Sequence, residues 1–119
     1  MTTKQTIEVY FDGLNQKNGW ENQIADDMVF DGPKTHTRGK EAYIQATSSF
    51  LKVVQSVEVS KFIVDGSQAC TVAHYTLVSP SGKTGRIDLA ELFKVNNGQI
   101  ESSAIFFDTA AFREFIARG

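Results

Sequence analysis

The hydrophobic period of this sequence changes near residue 55, and that change limits the possible fold more than any other feature. Before it, apolar residues recur at helical spacing, as Ile7, Tyr10, Phe11 and Leu14 do. After it, apolar and polar residues alternate, which predicts strands separated by turns rich in Gly, Asn and Ser. The predicted strands cover residues 57–64, 69–78, 84–95 and 99–107. Helices followed by an antiparallel meander predict an α+β fold.

Local signals predict the remaining elements. Thr2 or Thr3 is a candidate cap for the first helix, which is expected to end near Asn18. The other predicted elements are a short helix over 20–25, a short strand over 28–30, a loop over 34–38, a helix from Gly39 and a C-terminal helix capped by Asp108. Four residues of that last helix are expected to face the core: Ala111, Phe112, Phe115 and Ile116.

The length and the charge of the chain exclude several classes of function. At 119 residues the chain is expected to form one domain, residues 1–119. Its 12 basic and 14 acidic residues give a net charge of −2 without a basic cluster, so nucleic acid is not an expected partner. Cys70 is the only cysteine, and the sequence has neither zinc-type Cys pairs nor a phosphate-binding Gly loop. We therefore expect no metal and no cofactor.

The sequence also lacks targeting signals. Its N-terminus does not show the basic-then-apolar pattern of a signal peptide. No apolar run approaches the ~20 residues that a membrane-spanning helix needs. A cytoplasmic protein without membrane association is therefore expected.

The order of the predicted elements resembles that of the SnoaL-like branch of the nuclear transport factor-like superfamily. Three stretches carry the resemblance: LNQKNGWENQIADDMVFDGP, RGKEAY and NNGQIESSAIFFDTAAF. The resemblance implies a cystatin-like cone, in which N-terminal helices pack on a curved antiparallel sheet around an apolar pocket and a short C-terminal helix closes the chain. The superfamily includes ketosteroid isomerases, polyketide cyclases and limonene epoxide hydrolases, so the fold alone assigns no single activity.

The resemblance also implies that mostly aromatic residues line the pocket and contact a small apolar ligand. The residues expected to bind the substrate are Leu14, Trp20, Phe30, Tyr43, Phe50, Phe62, Phe93 and Phe107. For each of them, packing in a closed core is the alternative. An apolar wall with few polar groups is typical of small-molecule sites.

Glu91 is the most informative charged residue. By the two-residue period of a strand it shares a face with Leu89 and Phe93, so its carboxylate interrupts an apolar row. Burial raises the pKa of a carboxyl group, and the protonated acid can donate a hydrogen bond to an oxyanion. The resemblance places Glu91 at the oxyanion-hole acid of ketosteroid isomerases. The alternative is an outward Glu91 paired with a Lys or Arg at a dimer interface.

Tyr10 matches the oxyanion-hole tyrosine of the same enzymes when the chain is aligned on Leu14 and Asn15. It is expected on the buried face of the first helix, where Glu91 or a ligand oxygen would be its hydrogen-bond partner. A core tyrosine bonded to a backbone carbonyl is the alternative.

Two residues are candidates for a catalytic base. Asp31 lies one position before the residue that corresponds to the general base of ketosteroid isomerases, and a shift of one residue along a strand reverses its face. As an alternative, Asp31 forms the turn before Gly32 and Pro33. His74 is expected on the strand beside that of Glu91, where its imidazole could act as base, and a structural His is the alternative.

The predicted helices can cover only one face of the predicted sheet. Ala90, Leu92 and Ala104 alternate toward the other face, so we expect a homodimer through that outer face. Arg86 and Asp88 alternate in the same outward direction and are expected to form a surface pair.

These residues lead to two hypotheses of function. In the first, the protein is a metal-independent acid/base isomerase or cyclase that acts on an apolar carbonyl compound. Tyr10 and Glu91 would stabilise an enolate oxygen, and His74 would move the proton. In the second, the protein is a non-catalytic ligand-binding or dimerisation module of the same fold.

Overall fold

The structure, a computed structural model, describes residues 1–117 and has the predicted α+β order. The elements are α1 (Thr3–Gln16), a 3₁₀ helix (Trp20–Gln23), β1 (Ile24–Asp31), β2 (His36–Arg38), α2 (Lys40–Leu51), β3 (Val54–Asp65), β4 (Gln68–Val78), β5 (Thr84–Asn96), β6 (Gln99–Phe106) and α3 (Thr109–Ala117). The helices pack on one face of a single curved sheet, which confirms the predicted cone fold.

The sheet has six strands in the order β2-β1-β6-β5-β4-β3. Strands β3 to β6 form the predicted antiparallel meander, and the turns between them are short. The sheet is mixed rather than wholly antiparallel, because β1 pairs with β6 in parallel. Register shifts in β3 and at the β5–β6 pairing mark bulges, which bend a strand and help the sheet to curve.

The segment before α2 differs most from the prediction. The predicted helix over 20–25 is only a 3₁₀ turn, because β1 begins at Ile24 rather than at residue 28. Asp26 and Asp27 are exposed strand residues, so their polarity concealed the start of that strand. The predicted loop over 34–38 contains β2, which pairs with β1 across a tight hairpin.

Both predicted helix caps are present. Thr2 caps α1 with a capping box, since its hydroxyl accepts a hydrogen bond from the Gln5 N–H at 3.1 Å and the Gln5 side chain accepts one from the Thr2 N–H at 2.9 Å. Asp108 caps α3, where its Oδ1 accepts hydrogen bonds from the N–H groups of Ala110 and Ala111 at 3.0 and 3.1 Å.

The predicted inner face of α3 is correct except at Ala111, which is exposed. Phe115 is buried and Phe112 is partly buried, and Ile116 is half exposed but faces the space between α3 and the sheet. Two aromatic side chains hold α3 in place: Phe115 lies against Gly85 of β5, and Phe112 contacts the rings of Phe50 and Phe107.

The two faces of the sheet have different surroundings. The inner face packs against the helices and forms the core, and it buries the row of β5 residues that includes Leu89, Glu91 and Phe93. No helix within residues 1–117 covers the outer face, where Leu92 is 51% and Phe106 57% exposed. Within residues 1–117, no helix has the length and apolar character needed to cross a membrane.

Candidate functional site

A cavity of about 390 Å³ lies between the inner face of the sheet, the β1–β2 turn, α2 and α3. Its wall is mostly aromatic and aliphatic, with Phe30 from β1, Phe50 from α2 and Phe107 after β6. Leu89 of β5 and Ile105 of β6 line the side formed by the sheet. A volume and a lining of this kind suit a small, largely apolar molecule.

Three of the eight predicted substrate-binding residues, Phe30, Phe50 and Phe107, lie in the cavity wall. The prediction that the other five line the cavity is wrong. Those five are Leu14, Trp20, Tyr43, Phe62 and Phe93.

Each of these five residues is held elsewhere by packing. Leu14, Trp20, Tyr43 and Phe93 are buried in the core. The Tyr43 ring lies behind Phe30 at a centroid distance of 5.3 Å, and the Trp20 ring lies 6.3 Å from that of Tyr43. Phe62 borders a shallow surface groove beside α1.

Glu91 lies on the inner face of the sheet with only 4% of its surface exposed. The Ser103 hydroxyl donates a hydrogen bond to its Oε2 at 2.8 Å. Burial raises the pKa of the Glu91 carboxyl to about 7, although the hydrogen bond from Ser103 lowers it in part. Glu91 does not itself line the cavity, but two residues that do are its neighbours: Leu89, two positions earlier on β5, and Ile105, its cross-strand partner on β6.

A chain of hydroxyl groups leads from the cavity wall into the core. Thr47 lines the cavity, and its hydroxyl is hydrogen-bonded to that of Tyr43. The Tyr43 hydroxyl is in turn hydrogen-bonded to that of Tyr10. Tyr10 is therefore bonded to neither Glu91 nor a backbone carbonyl, the two partners within the protein that the sequence predicted.

Burial keeps both of these phenols protonated. Desolvation raises the pKa of Tyr10 and of Tyr43 well above the ordinary value for tyrosine, and the nearby Glu91 charge raises both further. The two phenol hydroxyls can thus donate hydrogen bonds at any physiological pH. Of the three linked hydroxyl groups, that of Thr47 belongs to the residue that lines the cavity.

His74 lies on β4, the strand next to that of Glu91 as predicted, but on the outer face of the sheet, so the prediction that it serves as a base beside Glu91 is wrong. In the β4–β5 register Thr71 pairs with Glu91, and His74 is three residues further along, on the opposite face. His74 pairs instead with Asp88, with its Nδ1 2.7 Å from Asp88 Oδ1. His74 and Arg86 hydrogen-bond to Asp88 and lower the pKa of its carboxyl, and Arg86 and Asp88 point outward as predicted.

Asp31 also lies outside the cavity, and 63% of its side chain is exposed. Its Oδ1 accepts a hydrogen bond from His36 Nδ1 at 2.9 Å, across the β1–β2 hairpin. The turn itself is closed by the Gly32 N–H, which donates to the Thr35 carbonyl at 2.8 Å. Asp31 is therefore neither a base in the cavity nor, through its side chain, the group that forms the turn.

The sequence matches the SnoaL-like domain family over residues 7–103. This chain belongs to the SnoaL-like domain family. Its sequence has no significant match among curated proteins.

Solved structures share the fold of this SnoaL-like protein at low sequence identity. A protein from Jannaschia sp. CCS1, described provisionally as a SnoaL-like polyketide cyclase, has 20% identity and a TM-score of 0.84, over 98% of this chain and 92% of that chain. TerC, crystallised with polyporic acid, has 17% identity and a TM-score of 0.84, over 97% and 98%. An LEH-like epoxide hydrolase from M. tuberculosis has 17% identity and a TM-score of 0.81, over 98% and 90%. At these identities the likeness establishes the fold alone.

Sequence reasoning missed several residues of the cavity of this SnoaL-like protein. Leu89 and Ile105 line it, and the strand period that placed Glu91 on the inner face also places Leu89 there. Phe112 lines it from α3, and its helical spacing gave a usable signal. Thr47 shares the helical stripe of Tyr43 and Phe50, which places it on the inner face of α2 but does not distinguish it as a polar residue of the cavity. Within residues 1–117, no group of three or more His, Cys, Asp or Glu residues is placed to hold a metal ion.

Proposed function

We propose that this SnoaL-like protein binds a small, largely apolar molecule in the cavity. The observation that carries the proposal is the cavity wall, in which Phe30, Phe50, Phe107 and Leu89 surround about 390 Å³. Burial of apolar ligand surface against such a wall supplies most of the affinity, at about 25 cal/mol per Å². The Thr47 hydroxyl is one of the neutral polar groups of the lining, and it can orient a carbonyl or hydroxyl oxygen of the ligand.

Filling the cavity is expected to abolish this binding. Ala46 of α2 lines the cavity, whereas the adjacent Gln45 is exposed and does not. An Ala46→Trp variant should bind the neutral fluorescent probe N-phenyl-1-naphthylamine at least about tenfold more weakly than wild type, a loss of about 1.4 kcal/mol. Binding is measured by titrating the probe and following its fluorescence, which increases in apolar surroundings.

Gln45→Trp is the matched control, because it adds the same side chain to the same helix outside the cavity. It should leave the probe affinity unchanged. Thermal unfolding of both variants shows that they remain folded. Equal probe affinity in wild type and in folded Ala46→Trp would contradict the proposed site.

A second candidate function is an acid/base isomerase or cyclase that acts on an apolar carbonyl compound. The observation that favours it is the Glu91 carboxyl, whose pKa of about 7 lets it accept and return a proton near neutral pH. Glu91 takes the proton-moving role in place of His74, which lies on the other face of the sheet, and the substrate must displace Leu89 or Ile105 of the cavity lining to reach its carboxyl. Thr47, backed by Tyr43 and Tyr10, would donate the hydrogen bond to the enolate oxygen.

The pH profile of turnover tests this second function. The substrate class to use is a β,γ-unsaturated cyclic ketone, whose conversion to the conjugated isomer is followed by ultraviolet absorbance. The ratio kcat/KM of the wild type should rise with pH through an inflection near 7, as Glu91 ionises. Glu91→Gln should remove that inflection together with the activity. Turnover that Glu91→Gln leaves intact would exclude Glu91 as the proton carrier.

The homodimer through the outer face of the sheet is also part of the proposal. Leu92 and Phe106 are more than half exposed there, and Ala90 and Ala104 lie beside them in the strand register. A contiguous apolar patch on an uncovered sheet face is typical of a protein–protein interface.

A single charge in this patch is expected to separate the subunits. Wild type should have twice the chain mass of 13.2 kDa by light scattering, and Leu92→Asp should have the mass of one chain. Val9→Asp is the control, because Val9 is an exposed apolar residue on α1 rather than on the sheet. A wild type with the mass of a single chain at micromolar concentration would contradict the dimer.

A further inference from the structure

Lys34, in the β1–β2 turn, is the one charged side chain among the described residues that line the cavity. Its side chain is exposed, so its ammonium group stands at the rim rather than inside. Among the ion pairs within residues 1–117 are those that join His36 to Asp31 and connect Asp88 to His74 and Arg86. None of them engages Lys34, and no acidic residue contributes to the cavity lining in that part of the chain.

The remaining polar groups of the cavity lining do not compensate this positive charge. Thr35, Thr47 and Ser49 contribute neutral hydroxyls. Asp108 follows the lining residue Phe107 in sequence, but it does not line the cavity, and its Oδ1 accepts hydrogen bonds from the N–H groups at the start of α3. The cavity thus has an uncharged wall and one cation at its rim.

We propose that the ligand of this cavity carries an anionic group on its apolar body, and that Lys34 selects that group at the rim. The inference rests on the proposed binding function and specifies the chemical class of ligand, which includes hydrophobic carboxylates, sulfonates and acidic enols. A cation beside a low-dielectric cavity attracts an anion more strongly than it would in open water, because the apolar wall reduces screening. A ligand with a cationic end would be repelled at the same place.

Two fluorescent probes that share one apolar body test this inference. 8-Anilinonaphthalene-1-sulfonate has the anilinonaphthalene body of N-phenyl-1-naphthylamine and adds a sulfonate. The quantity to measure is the ratio of their affinities for the same protein, because the apolar contribution cancels in that ratio. Lys34→Gln should lower the preference for the sulfonate about two- to fivefold, which is the range for an exposed ion pair. The wild-type preference should also weaken as salt is added, and that of Lys34→Gln should not.

Lys52→Gln is the matched control, since Lys52 is exposed beyond the end of α2, does not line the cavity and gives the same change in net charge. It should keep the wild-type ratio. If the ratio of sulfonate to neutral probe affinity is equal in wild type and Lys34→Gln, the proposed selection by charge is contradicted. The proposed binding function then still stands, because the neutral probe measures binding in the cavity independently of charge. Failure of the neutral probe to bind, or binding that Ala46→Trp does not weaken, would instead overturn the proposed function itself.

Discussion

Replacing Glu91 with glutamine is expected to make the protein more stable relative to wild type as pH rises. Between about pH 4 and pH 8, the free energy of unfolding of Glu91→Gln should increase by about 3 kcal/mol relative to that of wild type. The cause is the buried carboxyl, whose pKa rises from its ordinary value of 4.5 to about 7. Burial is the larger effect, and the hydrogen bond from Ser103 opposes it. The folded protein therefore holds the Glu91 proton at pH values where the unfolded chain has lost it.

Proton binding fixes the sign of this change. Below pH 4.5 the carboxyl is protonated in both states, so its burial carries no ionisation cost. Between pH 4.5 and about 7 the unfolded chain releases the proton first, and the free energy of unfolding falls as pH rises. Above about pH 7 the Glu91 carboxyl is ionised in the folded protein as well, and the free energy of unfolding stays at its lowered value. Glutamine has no proton to release, so the variant lacks this loss.

Urea denaturation of both proteins across this pH range measures the effect. Glu58→Gln is the control, because Glu58 is an exposed carboxylate on β3. The stability difference between Glu58→Gln and wild type should change little with pH. A Glu91→Gln difference that is equally flat would mean that Glu91 is hydrated in solution, which would remove the basis of the acid/base function.

Periodicity within the sequence was enough to predict most of the fold. The two-residue period gave the meander of β3 to β6 and placed Glu91 on the inner face. Helical spacing and short-range caps gave α1 and the start of α3, because a cap depends on residues only a few positions apart. Strand faces, helix stripes and helix caps are all determined by residues that are close together in the sequence.

Features that depend on distant residues were not predictable in the same way. The parallel pairing of β1 with β6 joins segments about seventy residues apart, and β2 has only three residues of its own. The partner of Tyr10 is Tyr43, which a different helix supplies.

The error over His74 has a related cause. The two-residue period of β4 places His74 on the same face of the strand as Val72 and Thr76. It did not give the register between β4 and β5, which pairs Thr71 rather than His74 with Glu91. A residue can therefore lie on the neighbouring strand and still point away from the site.

Gly13→Ala is expected to destabilise the protein by about 3 kcal/mol, although the same change inside a helix usually stabilises by about 1 kcal/mol. A Cβ atom on Gly13 would lie 2.7 Å from the backbone nitrogen of Trp20 and 2.8 Å from its Cα. These are backbone atoms of the 3₁₀ helix, so they cannot yield as a flexible side chain would. The helix α1 would have to separate from the 3₁₀ helix, and Trp20 would lose its position against Tyr43.

Two measurements check this prediction. Urea denaturation gives the change in the free energy of unfolding, and Ser48→Ala, at an exposed position of α2, is the control that should be neutral or slightly stabilising. Trp20 is the only tryptophan, so its fluorescence emission reports on this contact directly and should shift to longer wavelength in folded Gly13→Ala. A Gly13→Ala protein as stable as wild type, with unchanged emission, would mean that α1 and the 3₁₀ helix are not in close contact. The hydroxyl chain from Thr47 to Tyr10 would then lack the packing that positions Tyr43 behind the cavity wall.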